Sequence, residues 1–147
     1  MHTHILGQDV SWTPWSRLYL QAGLSYVLSQ TTTPGSDFTP QTPALLASQN
    51  DYWMLNFSSS LVLNDKTDLN LGYFYYRAND FYNNSAYGVP YGTDAQEHSV
   101  SATLIYRIRK NIRLTLRYAF SHYDDASYGG HRDYDAYVLS SSLQYRF

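Results

Sequence analysis

From residue 2 onward the chain alternates apolar and polar positions with a period of two, the signature of extended strands with two unlike faces. In the stretch RLYLQAGLSYVLS, residues 17–29, Leu18, Leu20, Ala22, Leu24, Tyr26 and Leu28 fall on one face, and Arg17, Tyr19, Gln21, Gly23 and Ser25 on the other. Residues 51–63 repeat the rule, with Trp53, Leu55, Phe57, Ser59, Leu61 and Leu63 against Tyr52, Met54, Asn56, Ser58 and Ser60. Residues 2–12, 69–78, 98–108, 112–123 and 134–147 follow the same alternation. The pattern predicts about seven strands of roughly 10 to 14 residues, where strands of ordinary globular proteins run to about 5 or 6. No segment carries a persuasive helical repeat.

The connections alternate as well. TPWS, NDKTD and RKN are short, whereas residues 30–50, 79–97 and 124–133 are long and rich in Gly, Pro, Asn, Asp, Ser and Tyr. Long strands, short turns on one side and long loops on the other predict an all-β fold, an antiparallel up-and-down transmembrane β-barrel. Residues 1–147 are expected to form a single barrel segment with no separate soluble domain. A soluble β-sandwich binding module, which also pairs an apolar face with a polar one, is the minor alternative.

Composition strengthens the membrane reading. Only 15% of residues are charged, against about 25% in soluble domains. Lys66 and Lys110 are the sole lysines, so the polar faces carry Ser, Gly, Asn, Gln and Arg instead. The aromatics collect near strand ends. Trp12, Trp15, Tyr106, Tyr145 and Phe147 are expected near the turn side, and Trp53, Tyr73, Tyr75, Tyr118 and Phe120 toward the loop side. Two such girdles around a Leu/Val/Ala band fit the two interfaces of a bilayer. No run approaches the roughly 18 apolar residues of a membrane helix, and the first ten residues lack the pattern of a signal peptide. A net charge of -2 gives no basis for nucleic acid as a partner, and the absence of cysteine removes thiolate metal sites.

The last nine residues, LSSSLQYRF, place Leu139, Ser141, Leu143, Tyr145 and Phe147 on one face and Ser140, Ser142, Gln144 and Arg146 on the other. This ending resembles the C-terminal assembly signal of bacterial outer-membrane β-barrel proteins, in which the last strand closes on an outward Phe with an aromatic two residues earlier. Here those positions are Phe147 and Tyr145, with Leu143 continuing the row; the glycine often found upstream is replaced by Ser141 and Ser142. The resemblance extends over nearly the whole chain at the level of architecture and points to no single family. It implies recognition by the barrel-assembly machinery and residence in a Gram-negative-type outer membrane, in contact with its lipid and lipopolysaccharide.

With Phe147 at the periplasmic side, counting back through the turns makes residues 2–12 descend from outside. Bacterial single-chain barrels have even strand numbers and start in the periplasm. The chain is therefore expected to be the C-terminal portion of a larger, porin-like barrel, with further strands of the same parent chain as partners. An eight-stranded barrel without its first strand is the alternative.

Function then belongs to the lumen face and the loops. Arg17, Arg107, Arg113, Arg117 and Arg146 have inward parity and fall in the turn-side half. A three-residue turn at residues 109–111 keeps the apolar faces aligned and sets Arg107 opposite Arg113, a repulsive pair. Asp9 and Asp68 are the inward acids on that side. Arginine keeps its charge and grips carboxylates or phosphates with two bonds. Two readings follow: a basic constriction favouring anions, or a salt-bridge ladder that stiffens the barrel. Asp37, Asp51, Asp80, Asp94, Glu97, Asp124, Asp125, Asp133 and Asp135 are loop-side and make an acidic mouth, either solvated or bridged by divalent cations to lipopolysaccharide. Tyr82, Tyr87, Tyr91 and Tyr128 in the loops pack there or stack on sugars.

Catalytic chemistry is not expected. His122 with Asp124 or Asp125 near Ser121 is the one candidate, yet His122 has outward parity and Ser121 inward. His2 and His4 share a face without a third ligand, so no metal or other cofactor is expected. The reading is a porin-like channel for small polar or anionic solutes and not an enzyme. The alternative is a structural sleeve or anchor for a partner protein such as an electron-transfer cytochrome.

Overall fold

A computed structural model describes residues 2–31, 48–79, 93–128 and 131–147. They form one antiparallel sheet of seven strands in sequential order: β1 His2–Trp15, β2 Leu18–Thr31, β3 Ser48–Asn64, β4 Thr67–Asn79, β5 Asp94–Arg109, β6 Ile112–Asp125 and β7 Tyr134–Tyr145. A single 3-10 turn, Ala126–Tyr128, follows β6. The fold is thus the all-β, up-and-down meander that the alternation predicts. Most strands run longer than the alternation suggests.

The strands extend at both ends, β3 and β5 gaining three and four residues on the loop side and β1 three on the turn side. TPWS, NDKTD and RKN contract to two-residue turns at Ser16 and Arg17, Asp65 and Lys66, and Lys110 and Asn111. At each one the incoming strand carries a register shift, between Trp12 and Trp15, Val62 and Asn64, or Arg107 and Arg109. A β-bulge sets two residues against one. It supplies the odd residue that keeps like faces together, so Arg107 pairs with Arg113 as expected, but through a bulge instead of a longer turn. Each turn is also tied to the next hairpin. The carbonyls of Arg17, Lys66 and Asn111 accept bonds from the backbone amides of Val62, Arg107 and Arg146 at 2.8, 2.8 and 2.9 Å.

Across the loop-joined pairs the register is unbroken, and the faces can be followed through all seven strands. Asp9, Gly23, Asn56, Phe74, Ser99, Ser121 and Ala136 form one cross-strand row, and all seven line one hollow of about 570 Å³. The neighbouring row on the opposite face is Val10, Ala22, Phe57, Tyr73, Val100, Phe120 and Tyr137. The sheet therefore curls far enough for its first and last strands to face the same hollow. It remains open between β1 and β7, which are not hydrogen-bonded to each other.

Burial inverts the usual order. Among the described residues the buried ones are Val27, Ala78, Ala95 and Asp125. All four lie in a single inward row, joined through Tyr52, at the loop end of the sheet. Among the described residues no large side chain is fully buried, and the outward row stands exposed, Leu139 at 83% and Leu143 at 67%. The apolar face thus has no protein layer against it.

Candidate functional site: a polar hollow and its basic rim

The inward positions that line the hollow are mostly Gly, Ser, Asn, Gln and Ala, with Phe74 and Val138 as apolar members. Two glycines keep it open. A Cβ at Gly23 would collide with the Asp9 carboxylate, and one at Gly72 would come within 2.7 Å of the Ser101 hydroxyl. Toward the loop end, a Glu97 carboxylate oxygen lies 2.8 Å from the Ser99 hydroxyl and 2.8 Å from the Ser121 hydroxyl, which are 2.7 Å from each other. Two hydroxyl protons serve three contacts, so two of the three are hydrogen bonds at a time. Arg117 lines the hollow on the turn side of this cluster. The result is a mixed surface with a carboxylate toward one end and a guanidinium toward the other, able to hydrogen-bond polar groups.

Below Arg117 the basic residues gather at the turn-side rim. Arg107, Arg109, Lys110, Arg113 and Arg146, with Gln144, line a cleft of about 40 Å³. Arg107 forms an ion pair with Asp68 and donates to the Asp65 carbonyl at 3.2 Å. Of the five arginines assigned to the lumen from sequence, Arg107, Arg113 and Arg146 meet in this cleft and Arg117 lines the hollow. Arg17 lies apart, in the first two-residue turn. Sequence reading missed Arg109 and Lys110, which it had placed in the turn itself; their adjacency to Arg107 in RIRKN was the available signal.

Asp68 is the only described acid paired to this rim. The Asp68 side chain is largely buried while that of Arg107 is half-exposed, so Asp68→Ala is expected to cost about 1 to 2 kcal/mol, between a surface and a buried pair. Urea unfolding in micelles measures it. Asp68→Ala combined with Arg107→Ala should recover part of the loss, because the stranded cation goes too.

The loop end divides by face. Inward, Tyr52 and Tyr76 approach at 5.6 Å between ring centroids, and Tyr123 stacks on Tyr134 at 5.2 Å. Outward, Arg77 pairs with Asp94 at 3.0 Å, Gln96 donates to Asp124 at 2.9 Å, and His122 lies 3.2 Å from Asp124 and 2.6 Å from Asp135. Ser121, on the other face, is held by Glu97 and Ser99, so serine and histidine are not brought together. Asp125 is buried, its backbone amide donating to the Asp133 carboxylate at 2.6 Å. Asp37, Asp80, Tyr82, Tyr87 and Tyr91 lie outside the described residues, as does the side chain of Tyr128. His2 and His4 are exposed on β1, and among the described residues no three His, Asp or Glu side chains converge for a metal ion.

The aromatic rows have partners along the sheet. On the loop side Trp53 stacks on Tyr26 at 4.1 Å, Phe120 meets Tyr137 at 4.9 Å, and Tyr75 meets His98 at 4.8 Å. The Tyr73 hydroxyl lies 2.9 Å from His98 Nδ1. Tyr118 and Tyr73 differ from their expected loop-side place: Tyr118 pairs with Ala102 and Leu139 midway along β6, and Tyr73 with Phe57 and Val100 midway along β4. On the turn side Trp12, Trp15, Tyr106 and Tyr145 are exposed, and Phe147 meets Tyr145 edge to face at 5.0 Å and 89°. Leu143, Tyr145 and Phe147 are all exposed, and Leu143 and Tyr145 pair with Leu114 and Ile112 on the apolar face.

No family model matches the chain, and no curated protein or solved structure matches it. Fold and faces define an open antiparallel β-meander with a polar concave face and an apolar convex one, compatible with a segment of a β-barrel.

Proposed function

We propose that the chain is a segment of an outer-membrane β-barrel that forms a porin-like channel for small polar or anionic solutes. The observation that carries this reading is the exposed convex face: Leu6, Val10, Leu24, Phe57, Leu71, Val100, Leu116 and Leu139 stand uncovered around a polar hollow. In water such a face would be an association hazard, whereas hydrocarbon satisfies it. Among the described residues no helix is long and apolar enough to cross a membrane. In this proposal the crossing uses strands, whose backbone groups are satisfied only in a closed sheet. Because β1 and β7 run in the same direction, antiparallel closure takes an odd number of further strands. In this proposal the C-terminal Leu143, Tyr145 and Phe147 are read by the barrel-assembly machinery, and the outward aromatics meet outer-membrane lipid and lipopolysaccharide.

Planar-bilayer recording of the assembled barrel is the test. Discrete conductance steps with an anion preference are expected, and Arg117→Glu should move the reversal potential toward cations without abolishing the steps. Silence from a correctly inserted barrel, with a protein co-purifying in its lumen, would replace the channel with a structural sleeve.

A further inference from the structure

The turn-side cleft concentrates more positive charge than the fold needs. Five cations border a volume of about 40 Å³, and Asp68, the acid beside them, is taken by Arg107. Among the described residues Arg109, Lys110, Arg113 and Arg146 form no ion pair. Arg107 and Arg113 are directly opposite in the ladder, where like charges repel. Yet the backbone that carries them is fixed. The Arg146 amide bonds the Asn111 carbonyl at 2.9 Å and clamps the end of the last strand against the β5–β6 turn. The Arg113 to Gln144 pairing continues the ladder above it.

Size and donor chemistry narrow the ligand. A volume of about 40 Å³ holds about three water positions, the scale of a small tetrahedral oxyanion and too little for a sugar or a nucleoside. Guanidinium groups grip phosphate oxygens in pairs, an ammonium adds a point charge, and the Gln144 amide supplies a neutral donor. A singly charged carboxylate would offset one of the four charges that Asp68 leaves; a phosphate offsets up to two and accepts from several donors at once. We propose that this cleft is a binding site for a phosphate group, either free in a small solute or carried as the headgroup of a phospholipid. The site deepens the channel reading by naming a solute class, but phosphate binding in detergent tests the cleft while bilayer conductance tests the channel, so either can fail without the other.

Inorganic phosphate is titrated into the protein in detergent micelles by calorimetry and phosphorus NMR, with acetate as the comparison anion. Saturable phosphate binding is expected, stronger than acetate binding. Arg113→Gln and Arg146→Gln should each weaken it by about tenfold, the loss of one charged hydrogen-bonding partner. Gln144→Glu, which puts a carboxylate into the cleft without removing a cation, should abolish it even if the arginine variants fold poorly. Arg17→Gln, outside the cleft, should leave it unchanged. A short-chain phosphatidic acid separates the sources: much tighter binding than inorganic phosphate assigns the headgroup, and equal binding assigns a free phosphate solute. No saturation, acetate binding as strong as phosphate, or full binding by the Gln144→Glu variant would overturn the proposal.

Discussion

Leu116→Arg is expected to keep the protein out of the membrane, while Thr115→Arg, one residue away, is expected to leave it inserted. Leu116 is exposed on the convex face and pairs with Leu104 and Ser141. Thr115 pairs with Ile105 and Ser142 on the concave face that holds Arg113 and Arg117. A guanidinium at the bilayer midplane costs about 2 to 4 kcal/mol. On the concave face it meets water, and repulsion from its two arginine neighbours costs about 1 kcal/mol or less. Heat-modifiable migration and resistance to urea extraction from membranes report insertion. Equal damage from the two substitutions would defeat the proposal that the convex face meets lipid.

The second large effect concerns the last residue. Phe147 is fully exposed, packed only edge to face against Tyr145, and contributes nothing to an interior. Its deletion should therefore leave the stability of the preformed sheet almost unchanged. If the terminus is an assembly signal, deletion or Phe147→Asp should nonetheless block delivery to the outer membrane and leave the protein in the periplasm. Arg146→Gln, one residue earlier and on the other face, should assemble normally. A deletion variant with normal surface exposure and normal heat-modifiable migration would remove the terminus from the assembly argument.

The contrast between these two positions shows how much of the molecule was legible in advance. Within the strands parity set which face a side chain takes, because successive Cβ atoms of an extended strand point to opposite sides; Arg17, in a turn, escapes the rule. The same rule set Arg107 against Arg113, since like faces must stay together across a hairpin. It could not find the device that keeps them so. A three-residue turn and a two-residue turn with a bulge give the same pairing, and bulges carry no clear mark in sequences such as TPWSR or RIRKN. Tyr118 was displaced for a related reason. Its distance from a strand end depends on where the ladder stops, and β6 continues two residues past the end of its alternation.

What the sequence by itself determined was therefore local: seven extended segments, their order, their two unlike faces and the chemistry of each face, all of which follow from backbone geometry with a period of two. Only the tertiary structure decided the relations across strands. Asp68 meets Arg107 from 39 residues away, His122 turns to Asp135 instead of Ser121, and Arg109 and Lys110 join Arg113 and Arg146 around one cleft. Above all, the curl that brings Asp9 and Ala136 to the same hollow arises from twist accumulated over six pairings and three bulges. Such curvature is a property of the whole sheet and is carried by no single strand.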